Sequence, residues 1–298
     1  IKNNSKNLKI EAYIPYSHLD YLKNWHEVKF LQSKNDLVEF IDFAYPHNFE
    51  NKNLIDKNWN SISLKGFKNY DMIISDNITQ VLEVNSKVVF TGSFFWHEVL
   101  QKMEASHNFK NFINSQRELI FDHRPIMIGN EYFTSPEVRQ YTKFKQVGFY
   151  KYFLNKDIRK QKSKNNILLS AGLGGESLDN CKLAINKIVS REIKPPNILW
   201  LEPKLYKSTF PNWIKPATYD ANMFFGCYCV CIRPGIGTVS DSLLSQNYIF
   251  TFHKNSPEMN YNSSIISLNG FGEKANNPFD AYIKAIGLFS RKEKLDII

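Results

Sequence analysis

The second half of the chain alternates fully apolar runs with amphipathic ones. Residues 166–170 (NILLS), 198–201 (ILWL), 227–232 (CYCVCI) and 248–252 (YIFTF) are short runs of aliphatic, aromatic and cysteine side chains. Runs of this length with no polar alternate positions predict strands covered on both faces. Between and after them, residues 177–190 and 278–293 carry apolar side chains at helical spacing, the second with Lys and Arg near its end, which predicts helices. The first half repeats the theme less cleanly. Residues 9–14, 70–76, 87–93 and 125–129 read as strands, with shorter candidates at 28–31 and 40–44; 78–84 reads as a short helical stretch and 94–116 as one helix. Strand and helix in alternation predict the α/β class with doubly wound parallel sheets.

A length of 298 residues exceeds one ordinary domain, at roughly 100–200 residues each. The Lys- and Asn-rich stretch 156–166, where apolar periodicity lapses, places a boundary near residue 155. The expected units are 1–155 and 156–298, two Rossmann-like parallel-sheet domains facing a cleft that forms where their strand C-termini meet. Residues 1–7 resemble the tail of a helix. A domain of this kind opens with strand, loop and helix, so about 25–30 further residues are expected upstream.

Composition narrows the function classes. Hydrophobic residues at 43% and charged residues at 22% suit packed cores and exclude a disordered chain. The net charge of +9 favours anionic partners: phosphorylated substrates, anionic lipid or nucleic acid. No RNP, zinc-finger or helix-turn-helix pattern accompanies it, so nucleic acid is not expected. Cys227, Cys229 and Cys231 are spaced by two and Cys181 stands apart. On a regular strand those three thiols share one face, too linear for tetrahedral zinc. Buried reduced thiols and a cytoplasmic location are expected. The seven histidines show no H-E-x-x-H spacing, so no metal site is expected. There is no apolar run of about 18 residues to span a bilayer and no secretory leader pattern.

Two Gly-broken loops carry the candidate chemistry. Ser170-Ala171-Gly172-Leu173-Gly174-Gly175 follows a strand and precedes a helix. Its glycines allow close backbone approach to a ligand, yet G-x-G-G lacks the last x-x-G of a dinucleotide fingerprint. A plain strand–helix turn is the alternative. Arg233-Pro234-Gly235-Ile236-Gly237-Thr238 again links a strand to a helix, with Thr238 as its expected N-cap and Asp241 three residues on. A helix N-terminus so placed suits an anion such as phosphate. The Asp241 carboxylate suits either a ribose diol, as a double acceptor, or a helix cap. Arg233 suits a diphosphate or a tether to the loop.

In the first half, Asp76, Asn77, Ser93 and Trp96 end strands at the expected cleft face and are candidates for the acceptor side, Asp76 also for catalysis. His97 and Glu98 follow as a candidate base and its orienting partner, against a reading as a helix start with inward aromatics. His123 and Arg124 are weaker candidates.

The run CIRPGIGTVSDSLL resembles the nucleotide-sugar half of GT-B glycosyltransferases, in particular the family 28 type that forms lipid II, with its pattern R-x-G-x-x-T-x-x-E. Arg233, Gly235, Thr238 and Asp241 fall on those positions, with Asp241 one methylene shorter than the family's Glu. The resemblance implies a GT-B fold and transfer of a sugar from a nucleotide donor, UDP-linked, to a hydroxyl acceptor in cell-surface glycan or glycolipid synthesis. It also implies no cofactor and no bound metal. It places donor contacts on Gly172, Gly174, Gly175, Gly235 and Gly237, on Glu258 and Asn260, and on the loop around Lys215, Pro216, Ala217 and Thr218. The family's Gln pair is absent at 258–260, and its catalytic His would lie in the upstream loop. A nucleotide-sugar hydrolase or 2-epimerase on the same fold, and a non-catalytic binding subunit, remain open alternatives. Positive charge with exposed aromatics in the first half suits a lipid-linked acceptor at an anionic inner membrane face.

Overall fold

The computed structural model describes residues 10–14, 38–42, 64–102, 110–149, 164–172, 175–254 and 256–290. The expected strand at 28–31, the boundary near 155, the helix tail at 1–7 and Gly174 lie outside them.

The described strands form three parallel sheets. β1 (Ile10–Ile14) pairs with β2 (Val38–Asp42). β3 (Ile73–Asp76), β4 (Val88–Thr91), β5 (Ile126–Asn130) and β6 (Lys143–Val147) form a four-stranded sheet in simple sequence order. β7 (Asn166–Ser170), β8 (Leu199–Leu201), β9 (Ile214–Pro216), β10 (Cys227–Ile232), β11 (Tyr248–Thr251) and β12 (Gly272–Lys274) form a six-stranded sheet in the order β12-β11-β10-β7-β8-β9. Three of these strands were not legible in the pattern. β6 is half polar and covered poorly on both faces, and β9 and β12 are three residues each.

The helices are α1 (Trp96–Gln101), α2 (Lys110–His123), α3 (Pro136–Tyr141), α4 (Gly175–Ser190), α5 (Ala221–Gly226), α6 (Ile236–Leu244), α7 (Pro257–Leu268) and α8 (Pro278–Ser290). The stretch expected as one helix over 94–116 is two: α1 stops at its C-cap Lys102 and α2 runs on to His123. Start signals explain several of the others. Ser135 and Ser256 cap α3 and α7 with proline in the first turn, and the Asp220 carboxylate accepts the Met223 N–H at 2.8 Å to start α5, because a side-chain acceptor satisfies an orphan first-turn donor.

The six-stranded sheet has a core on each face. Ile167, Leu169, Cys229, Cys231 and Phe250 pack against Cys181, Ile185 and Ile188 of α4 and against Ala281, Tyr282 and Ala285 of α8. Leu168, Cys227, Val230, Ile232 and Ile249 pack the other way, against Met223 and Phe224 of α5, Val239 of α6 and Ile266 of α7. Successive strand residues alternate between the two cores, which is why these strands read as unbroken apolar runs. The three cysteines do not share a face, contrary to the simple spacing argument. A register shift between Cys227 and Cys229 inserts one residue, and such a bulge turns the side chain before it to the opposite side. All four thiols are free and buried.

The sheets are joined through Phe133. It lies in the turn between β5 and α3, is fully buried, and packs in the α5–α7 core of the six-stranded sheet. Tyr132 beside it stacks on Phe149 at 6.1 Å and meets the edge of Phe271 at 6.1 Å. No helix among the described residues is long and apolar enough to cross a membrane.

Candidate functional site

Strand order reverses once in the six-stranded sheet. From β7 the chain goes outward through β8 and β9, then returns to the other side of β7 as β10 and continues to β11 and β12. Loops leaving β7 and β10 therefore diverge, and the crevice between their C-terminal ends is where open parallel sheets take ligands. Both Gly-broken loops lie here. Ile232 pairs with Ser170 in register, and the Arg233 N–H donates to the Ser170 carbonyl at 3.2 Å, so the two loops leave the sheet side by side.

The loop after β10 differs from expectation in one respect. Thr238 is not the N-cap of α6; Gly235 occupies that position with no side-chain cap, and the helix begins at Ile236. The bond from the Val239 N–H to the Gly235 carbonyl at 3.0 Å closes the first turn this early. Thr238 and Asp241 thus sit within α6, three residues apart on one face, and no capping box forms. An uncapped helix start leaves backbone N–H donors and the positive end of a nine-residue helix open toward the crevice.

The glycines here are not demanded by the fold. Gly235 has φ −71°, open to any residue, and a Cβ added to Gly235 or Gly237 meets nothing within 4 Å. Gly172 differs: its φ of +63° lies in the left-handed region that favours glycine, and its N–H donates to the Ser170 hydroxyl at 3.2 Å. Gly175 opens α4, and Pro216 ends β9 on an exposed edge.

Two charged side chains at this crevice form no side-chain hydrogen bond or ion pair among the described residues. Asp241 is half-buried, makes no side-chain hydrogen bond among the described residues, and is pushed by burial up to about 7. Arg233 is half-buried and forms no ion pair among the described residues, yet its charge holds down Glu258 and His253. Burial raises the Glu258 carboxyl, Arg233 opposes that, and Asp76 at the end of β3 adds to it. Asp76 and Glu258 are therefore within electrostatic range of one another across the gap between the two sheets. Asp76 keeps an exposed side chain, but the protein around it desolvates the carboxyl and raises its pKa, as expected in a concavity.

Asn260 departs from expectation. Two residues from Glu258 on α7, it falls on another side of the helix, is exposed, and accepts from Lys274 Nζ at 3.5 Å. The α7 residues at the gap are Pro257, Glu258, Tyr261 and Asn262, which with Ser93, Phe94, Glu98, Val99, Lys102, Phe133 and Ser135 line a pocket with room for about one water (about 20 Å³). Tyr261 donates to the Thr134 carbonyl at 3.2 Å across this gap, and Asn262 Nδ2 donates to the Pro234 carbonyl at 2.9 Å, bracing the β10 loop.

His97 and Glu98 do not form a pair. Adjacent helical residues diverge, and the two line different pockets. Glu98 accepts from Ser135 Oγ at 2.5 Å and from the Phe95 N–H at 3.4 Å, and burial pushes it up to about 7. His97 is 3% exposed, stacks on Phe95 at 5.8 Å, lies 3.7 Å from Glu137, and borders a groove with Arg117, Phe121 and Tyr141 instead. The inward-packed aromatic is Phe95, 1% exposed. Asn77 is buried at φ 64°, its side chain against Gly92, where an added Cβ would lie 2.6 Å from Asn77 Oδ1. Ser93 is buried with its carbonyl accepting from the Ser135 N–H at 2.8 Å, and Trp96 packs edge-on to Phe94 at 5.2 Å. His123 ends α2 and Arg124 follows at φ 41°, at the opposite edge of the sheet from the strand C-termini.

Several residues at the crevice escaped the sequence reading. His253, just past β11, has an Nε2 buried without a partner, and burial lowers its pKa. Glu202, Tyr219 and Asn262 are the others. None stands in a motif; each acquires its place only from the strand order and loop lengths. Among the described residues no group of His, Cys, Asp and Glu is arranged to hold a metal ion.

No protein-family model matches the chain, and no curated protein matches it by sequence. Its fold does have solved counterparts. Arabidopsis thaliana UGT89C1 superposes with a TM-score of 0.61 at 10% identity, covering 97% of this chain and 84% of that one. The glycosyltransferase of kitacinnamycin gives a TM-score of 0.59 at 10% identity over 96% and 84%. CalG4, the calicheamicin glycosyltransferase, gives 0.58 at 10% identity over 96% and 83%. The chain thus has the parallel-sheet α/β fold of GT-B glycosyltransferases.

Proposed function

We propose that this protein is a glycosyltransferase that takes its sugar from a nucleoside diphosphate donor. The observation that carries the reading is the reversal of strand order between β7 and β10, which sets the Gly172 loop, the Arg233–Gly237 loop and the uncapped start of α6 around one crevice. A diphosphate there meets backbone N–H donors, a helix N-terminus and a guanidinium with no ion pair among the described residues. Asp241, partnerless and half-buried, takes the ribose hydroxyls. UGT89C1, of the same fold, has been solved with UDP and with UDP-L-rhamnose, which supports a UDP-linked donor.

In the proposed reaction the bond from the sugar's anomeric carbon to the diphosphate oxygen breaks, and its electron pair leaves with the diphosphate. Arg233 and the first-turn N–H groups of α6 stabilise that growing negative charge, a contribution largest where donors are already oriented. The acceptor hydroxyl forms the new bond to the anomeric carbon and gives its proton to a carboxylate. Asp76 is the proposed base, since it reaches the gap opposite Glu258 with an exposed side chain and a raised pKa, which brings a carboxylate nearer to the working range of a base. Glu258 is the proposed contact to the donor sugar. The positive balance of +9 supports a lipid-linked or otherwise anionic acceptor.

A second reading, hydrolysis of the nucleotide sugar, is favoured by the pocket beside Glu98 and Glu258, with room for about one water (about 20 Å³). Incubation with UDP-sugars, with and without a panel of hydroxyl acceptors, separates the two. Transfer requires product only when acceptor is present, and an unchanged rate on adding EDTA tests the proposed metal independence separately; free sugar at the same rate without acceptor establishes the hydrolase.

A further inference from the structure

A buried polar cluster stands beside the crevice, at the C-terminal ends of β7, β8 and β9. Glu202 follows β8 and is 7% exposed. Its Oε2 accepts from Ser170 Oγ at 2.8 Å and from the Tyr219 hydroxyl. The two hydroxyls are 2.6 Å apart, and Ser170 Oγ accepts from the Gly172 N–H. Tyr219, past β9, is held at φ 52°, a backbone region that an aromatic residue adopts only where its surroundings impose it.

Two features of the cluster are not explained by folding. A buried carboxylate normally has a cation or a full set of donors. Glu202 has neither: no ion pair is formed among the described residues, and both of its side-chain bonds fall on one oxygen, leaving Oε1 without a hydrogen bond. Moreover, the network holds together three separate loops, after β7, β8 and β9, on the side of the crevice away from Arg233 and α6. If the diphosphate lies at α6, the nucleoside extends over either β11 or β8 and β9. The β11 side offers the unpartnered imidazole Nε2 of His253; the second side offers an oriented carboxylate oxygen free of protein hydrogen bonds, a stronger acceptor, together with a tyrosine ring.

We infer that Glu202, oriented by Ser170 and Tyr219, is a specificity-determining residue that accepts a hydrogen bond from the nucleoside of the donor through Oε1. Ser170 and Tyr219 act as positioning residues. Their hydroxyls fix Oε2, so the remaining acceptor is presented in one direction, and the Tyr219 ring forms the adjacent wall. This inference rests on the proposed nucleotide-sugar function. The chemistry it recognises is a polarised donor on the nucleoside, either a base N–H or a ribose O–H.

The test is calorimetric titration of UDP, 2′-deoxy-UDP, GDP and inorganic diphosphate into the full chain, wild type and Glu202→Gln, with circular dichroism to check folding. Replacing the anionic acceptor is expected to weaken UDP about tenfold, the range for a hydrogen bond to a charged group, while inorganic diphosphate binds as before. Equal losses for UDP and 2′-deoxy-UDP identify a base N–H or the 3′ hydroxyl as the donor; a loss confined to UDP identifies the 2′ hydroxyl. Tyr219→Phe, which keeps the ring, is expected to raise KM for the nucleotide sugar about threefold and to leave kcat unchanged. A folded Glu202→Gln protein that binds UDP like the wild type overturns the inference alone. So does one that loses UDP and diphosphate in equal proportion, since that marks a general loosening. A wild type that binds no nucleotide overturns the proposed function and, with it, this inference.

Discussion

The two larger sheets are built from the same elements and end differently. In the six-stranded sheet the strand order reverses between β7 and β10, and the loop after β10 carries two glycines that the fold does not require, Gly235 and Gly237, with an Asp241 and an Arg233 that form no ion pair among the described residues. In the four-stranded sheet the order is simply β3-β4-β5-β6, and the loops above it are occupied by their own side chains. Asn77 fills the space at Gly92, the Ser93 carbonyl is bonded to Ser135, and Phe133 leaves altogether to pack in the other sheet's core. One face is open and lined by charged groups; the other is closed by its own side chains, although Asn77 Oδ1, Asn130 Nδ2 and Thr134 Oγ1 are buried there without hydrogen bonds among the described residues. Unpaired charged groups are costly unless a ligand completes them, so the open face is the proposed donor side, and on that proposal the closed face must move or be lined from elsewhere to admit an acceptor.

The largest test of that contrast is Phe133→Ala. The side chain is fully buried between helices of the other sheet, so its loss is expected to cost about 3–5 kcal/mol of stability, read by urea denaturation. If Phe133 joins two otherwise separable bodies, the single unfolding transition splits into two. A loss below 1 kcal/mol would mean that the two sheets are held together by something other than this plug.

Arg233→Ala examines the open face. Removing an unpaired cation from a diphosphate site is expected to weaken UDP about a hundredfold, as charge-assisted contacts of this kind do when desolvated. UMP, whose single phosphate reaches less far, should suffer less. Equal losses for both would detach Arg233 from the diphosphate and return it to tethering the loop.

How much of this was legible beforehand follows the same contrast. The strands of the six-stranded sheet announce themselves because both faces are covered, and 227–232 and 248–252 were placed within a residue. The loop Arg233–Asp241 drew attention as a proposed anion site because glycines next to a strand end have a local cause. The start of α6 was misplaced, since Thr238 is a good cap by type and only the Gly235–Val239 bond shows that the turn has already closed. The bulge at Cys227 was invisible because it depends on β7, about 60 residues away in the chain. Pairing His97 with Glu98 failed for a helical reason, adjacency in sequence being divergence in space. Glu202, Tyr219 and His253 belong to no motif at all; they converge only once the order of the strands is known.

Two carboxyls make a pH comparison between the faces. Asp241 is raised from 3.8 and Glu98 from 4.5, each to about 7 and each mainly by burial. A raised carboxyl binds its proton more tightly when folded, so its stabilising share is complete below the unfolded pKa. That share is lost as pH climbs toward about 7. The free protein should therefore become less stable between pH 4 and pH 7. Donor affinity should move oppositely. If the ribose is held by ionised Asp241, UDP binding tightens by about tenfold from pH 6 to pH 8, as the charged fraction rises through a pKa near 7. Asp241→Asn should flatten that profile, whereas Glu98→Gln, on the closed face, should leave it unchanged. A profile flattened by Glu98→Gln and not by Asp241→Asn would reverse the assignment of the two faces.

The smallest expected effect is the most discriminating for α7. Asn260 and Glu258 are two residues apart, and a donor-gripping pair would make both substitutions harmful. The helix instead turns Asn260 outward to Lys274, an exposed contact worth less than about 1 kcal/mol. Asn260→Ala should therefore leave KM for the nucleotide sugar within about twofold, while Glu258→Gln, at the gap between the sheets, raises it. Were Asn260→Ala the more damaging, α7 would have to rotate on donor binding by enough to exchange the two side chains. Rotation of that size requires breaking the Asn262–Pro234 and Tyr261–Thr134 bonds, so the same outcome should then appear as loss of sensitivity to Asn262→Ala.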